Sequence, residues 1–80
     1  MNTDDNRVIK QQPLGEYHTY KRDDRKAVVL RDVHGFYVNL CLRYGDDNTY
    51  MKVKTIDCYE HSESWAESLA ENYVDGIFNV

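Results

Sequence analysis

The chain has 80 residues, with ten basic and fourteen acidic side chains and a formal net charge of −4. A chain of this length is one small domain that buries only ~60% of its unfolded surface, so its core is thin. Hydrophobic content of 41% and charged content of 30% make it polar, yet 12% aromatic residues are too many for a disordered chain. The start, Met1-Asn2-Thr3-Asp4-Asp5-Asn6, has neither the basic nor the apolar region of a secretory signal. Its longest apolar run, Ala27-Val28-Val29-Leu30, is far short of the ~20 residues of a membrane helix. The expectation is a cytoplasmic protein with no membrane partner.

Residues 1–13 are polar, hold one apolar pair at Val8-Ile9, and end at Pro13, the only proline. They read as a flexible arm ahead of a single α+β domain over residues 14–80. Within the domain, turn chemistry recurs at Arg22-Asp23-Asp24-Arg25, Asp32-Val33-His34-Gly35 and Gly45-Asp46-Asp47-Asn48. Asp and Asn form Asx-turns and tolerate the left-handed region, and Gly enters it freely. The runs between these turns, Leu14 to Lys21, Lys26 to Arg31, Phe36 to Tyr44 and Thr49 to Tyr59, are rich in Val, Ile, Thr, Tyr and Phe. Short connections between successive strands predict an antiparallel meander of three to four strands.

The third run alternates cleanly. Phe36, Val38, Leu40, Leu42 and Tyr44 share one face, while Tyr37, Asn39, Cys41 and Arg43 share the other. In the fourth run, Met51, Val53 and Thr55 oppose Tyr50, Lys52, Lys54 and Ile56, which predicts burial of the Met51/Val53 face. The period then changes. Trp65, Leu69 and Tyr73, joined by Ala66, Ala70, Val74 and Ile77, predict an amphipathic helix whose apolar face covers the sheet. Ser62, or Ser64 with Glu67 in a capping box, starts it, and Gly76 ends it.

Charge is segregated. Residues 1–54 hold all ten Lys and Arg against eight acids, a balance of 10 − 8 = +2, and residues 55–80 hold six acids and no base. Glu63, Glu67, Glu71 and Asp75 recur every four residues and form one stripe, expected opposite the apolar face. Like charges at this spacing repel, and Asp75 lies at the unfavourable end of the helix dipole. The stripe is either a solvated face or a ridge that docks on a basic partner. The uncovered sheet face, with Tyr37 and Arg43 and with Lys52 and Lys54 on the next strand, has the aromatic and basic composition of a nucleic-acid platform. Its plain alternative is an ordinary outer face.

Catalytic and metal motifs are lacking: there is no glycine-rich phosphate loop, no Cys-x-x-Cys and no His-Glu-x-x-His. Cys58 and His61 give at most half a zinc shell, and on a strand and a helix start their side chains diverge. Cys41 and Cys58 read as reduced thiols in strands. We therefore expect no enzyme, no cofactor and no metal. Seven tyrosines exceed what so small a core absorbs, which favours an interface and a homodimer.

The segment Glu60-His61-Ser62-Glu63-Ser64-Trp65-Ala66-Glu67-Ser68-Leu69-Ala70-Glu71-Asn72, after a Tyr-rich strand, resembles the C-terminal helix of small proteins from phages of cyanobacteria. The resemblance covers roughly residues 35–78. It implies a viral product in the host cytoplasm that acts by binding host macromolecules, and it transfers no site residues. Taken together, the primary expectation is a non-enzymatic protein that binds a host or self protein through Glu63, Glu67, Glu71 and Asp75, with a tyrosine such as Tyr37 as anchor. The alternatives are a nucleic-acid module using the sheet face and a dimeric regulatory or structural subunit.

Overall fold

A computed structural model describes residues 15–45 and 48–79. The expected arm over residues 1–13 and the Asp46-Asp47 step of the third turn lie outside them. The fold is α+β: β1 (Gly15–Arg22), β2 (Arg25–Asp32), β3 (Gly35–Arg43) and β4 (Tyr50–Cys58), followed by α1 (Glu63–Val74). The strands form one antiparallel sheet in the order β1-β2-β3-β4. Both tight hairpins leave two residues between paired strands. Asp23 takes φ 55 in the first, and Gly35 takes φ 134 at the end of the second. A Cβ at Gly35 would stand 3.2 Å from the Tyr59 backbone, so only glycine lets the chain pass there.

The helix lies chiefly on β2, then on β3 and β1. Ala27, Val29, Val38, Leu40 and Cys58 from the sheet and Ala66, Ala70, Tyr73 and Val74 from the helix make the buried core. Small alanines bring the helix close, and Tyr73 reaches through to donate a hydrogen bond to the Cys41 carbonyl at 3.1 Å. Ser62 is the N-cap, its hydroxyl accepting from the Trp65 N–H at 3.2 Å. At the other end Gly76 (φ 83) donates to the Tyr73 carbonyl and Ile77 to the Asn72 carbonyl, the two bonds of a Schellman cap. No residue of the last turn is basic, so the sheet supplies the cation. Arg25 donates to the carbonyls of Tyr73 (2.9 Å) and Phe78 (3.0 Å) and stacks over the Tyr73 ring at 4.7 Å.

Two expected faces are corrected. The buried face of the helix is Ala66/Ala70/Tyr73/Val74, and Trp65 is 43% exposed, stacked flat on His61 at 3.8 Å. The Met51/Val53 face of β4 is not buried; both side chains are exposed. The register explains this. Leu40 pairs with Lys54 but Cys41 pairs with Lys52, so Val53 is an extra, bulged residue. Past the bulge the parity reverses, and Ile56 and Cys58 turn to the helix. Leu42, expected in the core row of β3, is 40% exposed because the helix does not extend over it.

Candidate functional site

The bulge also sorts the lysines. Lys54 shares the helix side with Leu40, so it does not belong to the uncovered face where it was expected. Lys52 does, and it stands in a row. Lys21 pairs with Lys26, Lys26 with Cys41, and Cys41 with Lys52, each directly across its strand boundary. Directly opposed residues in an antiparallel pair point to the same face, so three lysines and one thiol cross the sheet together over ~14 Å. Tyr50 closes the row: its ring centroid lies 5.5 Å from Lys21 Nζ and 5.4 Å from Lys26 Nζ. No described helix or strand packs against this face; Val28, Leu30, Tyr37 and Cys41 on it are nonetheless buried, while Lys21 and Lys52 are exposed.

Among the described residues, none of these three lysines forms an ion pair. Arg43, at the same end of the sheet, is engaged: its Nη2 lies 2.6 Å from Asp24 Oδ1. Among the described side chains, the acids Asp32 and Asp57 of this face pair with Gly35 and Tyr37 at the other end of the strands. Asp32 is buried there, accepting from the His34 N–H (2.8 Å) and from the Tyr59 hydroxyl (2.9 Å). Burial, with the hydrogen bond and charge of Asp32, pushes the Tyr59 phenol up to about 12. Burial raises the Cys41 thiol, and Lys26 and Lys52 pull it partly back. This leaves Cys41 a protonated spacer within the row, not a nucleophile.

Like charges directly across a sheet repel. Two cation–π contacts to Tyr50 relieve part of this, and the rest is unopposed. Tyr37, the expected anchor, is only 8% exposed and packs with Val28 and Leu30 in the middle of the face. It is a foundation for the row rather than a contact. The aromatic groups at the lysine end are Tyr50, half-buried, and Tyr44, exposed.

The acidic stripe lies elsewhere than expected. With the buried face rotated onto Ala66 and Ala70, Glu63, Glu67, Glu71 and Asp75 run along the flank beside β1, not opposite the core. A strand advances ~6.7 Å per two residues and a helix 6.0 Å per four, so the two rows keep step. His18 Nε2 meets Glu67 Oε2 at 2.8 Å and Glu63 Oε2 at 3.8 Å. Arg22 meets Asp75 at 2.8 Å. Between them the Tyr20 phenol is raised by burial and then by Glu67, Glu71 and Glu63. The stripe is thus a clasp between helix and sheet edge, with Glu71 exposed between the two contacts.

On the opposite flank, away from β1, Trp65, Ser68, Leu69, Asn72 and Phe78 line a shallow groove of about 250 Å³. Cys58 is buried with its thiol pushed up to about 11, and His61 stacks on Trp65, so the two do not converge. No helix among the described residues is long and apolar enough to cross a membrane.

Sequence reasoning missed Lys21, Lys26 and Tyr50. The signal was present. A two-residue turn at Asp23-Asp24 pairs Arg22 with Arg25 and therefore Lys21 with Lys26. Comparison with protein-family models, curated proteins and solved structures finds no match to this chain.

Proposed function

We propose that this protein is a non-enzymatic binding module that holds a single-stranded nucleic acid at the lysine end of the sheet face opposite the helix. The observation that carries the reading is the row Lys21–Lys26–Lys52, in register across all four strands and lacking acidic partners among the described residues. A phosphodiester backbone laid across the row replaces mutual repulsion with attraction and releases counterions. Tyr50 at the same end offers a ring for an unstacked base, which a duplex does not present. The net charge of −4 does not oppose this, because the stripe Glu63, Glu67, Glu71 and Asp75 lies on the helix side of the sheet, away from the row.

The protein-partner reading through Glu63, Glu67, Glu71 and Asp75 has less support, since His18 and Arg22 already engage that stripe. The test is fluorescence anisotropy of a labelled single-stranded oligonucleotide and of its duplex, with the wild-type chain and the Lys26→Ala/Lys52→Ala variant. The expected result is preferential binding of the single strand, weakened at least about tenfold in the variant. No binding to either oligonucleotide overturns the reading. So does binding that the variant retains. Capture of a nuclease-resistant protein that Glu67→Lys/Glu71→Lys abolishes would install the acidic-stripe reading instead.

A further inference from the structure

We propose that His18, Glu63 and Glu67 form a binding site for a divalent transition-metal cation, with Zn²⁺ as its best match. The imidazole comes from β1 and the two carboxylates from successive turns of α1, 45 and 49 residues along the chain. One ligand atom from each lies within 4.8 Å of the other two. Donors that share a tetrahedral zinc at ~2.0–2.1 Å stand roughly 3.3 Å apart, so the side chains must shift to close on an ion.

A hydrogen bond between His18 and Glu67 at 2.8 Å explains one of the two contacts. It does not explain Glu63, whose oxygen stands 3.8 Å from the same Nε2, beyond hydrogen-bond range. Two carboxylates at i,i+4 repel, and a positive charge between them offsets the repulsion. A dication supplies that charge. One nitrogen and two carboxylate oxygens suit Zn²⁺ and, with lower affinity, Mn²⁺ or Co²⁺. The donors are partly exposed, so an ion has an entry path and keeps at least one position for water. Tyr20, the next residue on the same face of β1, borders the cluster, its phenol raised by burial and by the same glutamates.

The bound ion would fasten the first two turns of α1 to β1 and remove the strongest repulsion of the acidic stripe. The inference is independent of the nucleic-acid reading, since the cluster is on the helix side of the sheet and the lysine row on the other.

The test uses the full chain, stripped with a chelator and titrated with Zn²⁺ in a calorimeter, with thermal unfolding followed in parallel. Co²⁺ serves as a spectroscopic probe of the ligand set. One ion per chain is expected, with a rise in the unfolding midpoint of roughly 10–20 °C at a hundredfold excess of free Zn²⁺ over Kd. His18→Ala and Glu67→Gln are each expected to weaken Zn²⁺ at least about tenfold and to alter the Co²⁺ visible spectrum. His61→Ala, which changes a histidine outside the cluster, should leave both unchanged. Glu67→Gln keeps a hydrogen-bond acceptor for His18, so its circular dichroism reports whether the fold is intact. Failure of the wild-type chain to bind, or equal binding by folded Glu67→Gln, overturns the site.

Discussion

Replacing Tyr73 with phenylalanine removes one oxygen from the largest fully buried side chain among the described residues. Tyr73 is 1% exposed, its hydroxyl donates to the Cys41 carbonyl at 3.1 Å, and its ring carries the Arg25 guanidinium at 4.7 Å. The phenylalanine keeps the ring, its packing and the cation–π contact, and loses only the hydrogen bond. That is worth about 1 kcal/mol, toward ~1.5 because the Cys41 carbonyl is left buried without that donor. Tyr73→Ala removes the ring as well and leaves a cavity between α1 and the sheet, a loss of ~3–5 kcal/mol. At ~0.05–0.15 kcal/mol per residue an 80-residue domain has ~4–12 kcal/mol in total, so the alanine variant stands near the edge of folding. Urea unfolding followed by far-UV circular dichroism measures both, with the m-value as the check on two-state behaviour. The phenylalanine variant should lower the thermal midpoint by about 4–8 °C. If Tyr73→Phe is neutral and Tyr73→Ala costs under ~1.5 kcal/mol, α1 does not dock through this side chain and the packing described above is refuted.

Asp32→Ala removes two charge-assisted hydrogen bonds from a buried carboxylate and relieves its desolvation. The expected net loss is ~2–3 kcal/mol by urea unfolding, and a loss under ~0.5 kcal/mol would deny the Asp32–Tyr59 link. The Tyr59 phenol is raised from 10 to about 12 and the Cys58 thiol from 9 to about 11. Both groups bind their proton more tightly folded than unfolded. Their contribution is therefore complete below about pH 9 and is lost as pH rises through 11 and 12. A pH series of unfolding free energies should fall across that window, less steeply in Tyr59→Phe, and an identical slope in the variant would contradict the assignment. Glu67→Lys breaks the contact to His18 on a part-exposed flank. It should lower stability by under about 1 kcal/mol while leaving oligonucleotide binding equal or stronger, and a weakened oligonucleotide would place the stripe in the interface.

The elements were legible because their signals are local. Two-residue turns at Asp23-Asp24 and Val33-His34 and the alternation of Phe36 to Leu40 determine the meander, and Ser62 and Gly76 bound the helix through their own backbone chemistry. The site was only half legible, for two reasons. Alternation was read through the fourth strand without a break, whereas the bulge at Val53 reverses its parity and moves Lys54 off the face that keeps Lys52. The apolar stripe of the helix is wide, and its largest members, Trp65 and Leu69, looked like its centre. Two alanines allow closer approach than either, so the helix rotates, Trp65 stays outside, and the acids swing to β1. His18, silent as an isolated histidine, gains meaning only from that rotation.

The salt dependence of oligonucleotide binding tests the central claim most directly. Three lysine–phosphate contacts on a single strand predict a slope of log K against log salt of about −2, at ~0.7 per contact. Each lysine of the row changed to alanine should flatten the slope by about 0.7, with Lys54→Ala leaving it unchanged because that side chain is on the opposite face. A slope that Lys21→Ala, Lys26→Ala and Lys52→Ala leave intact, or one that Lys54→Ala flattens equally, would contradict a lysine row as the binding surface.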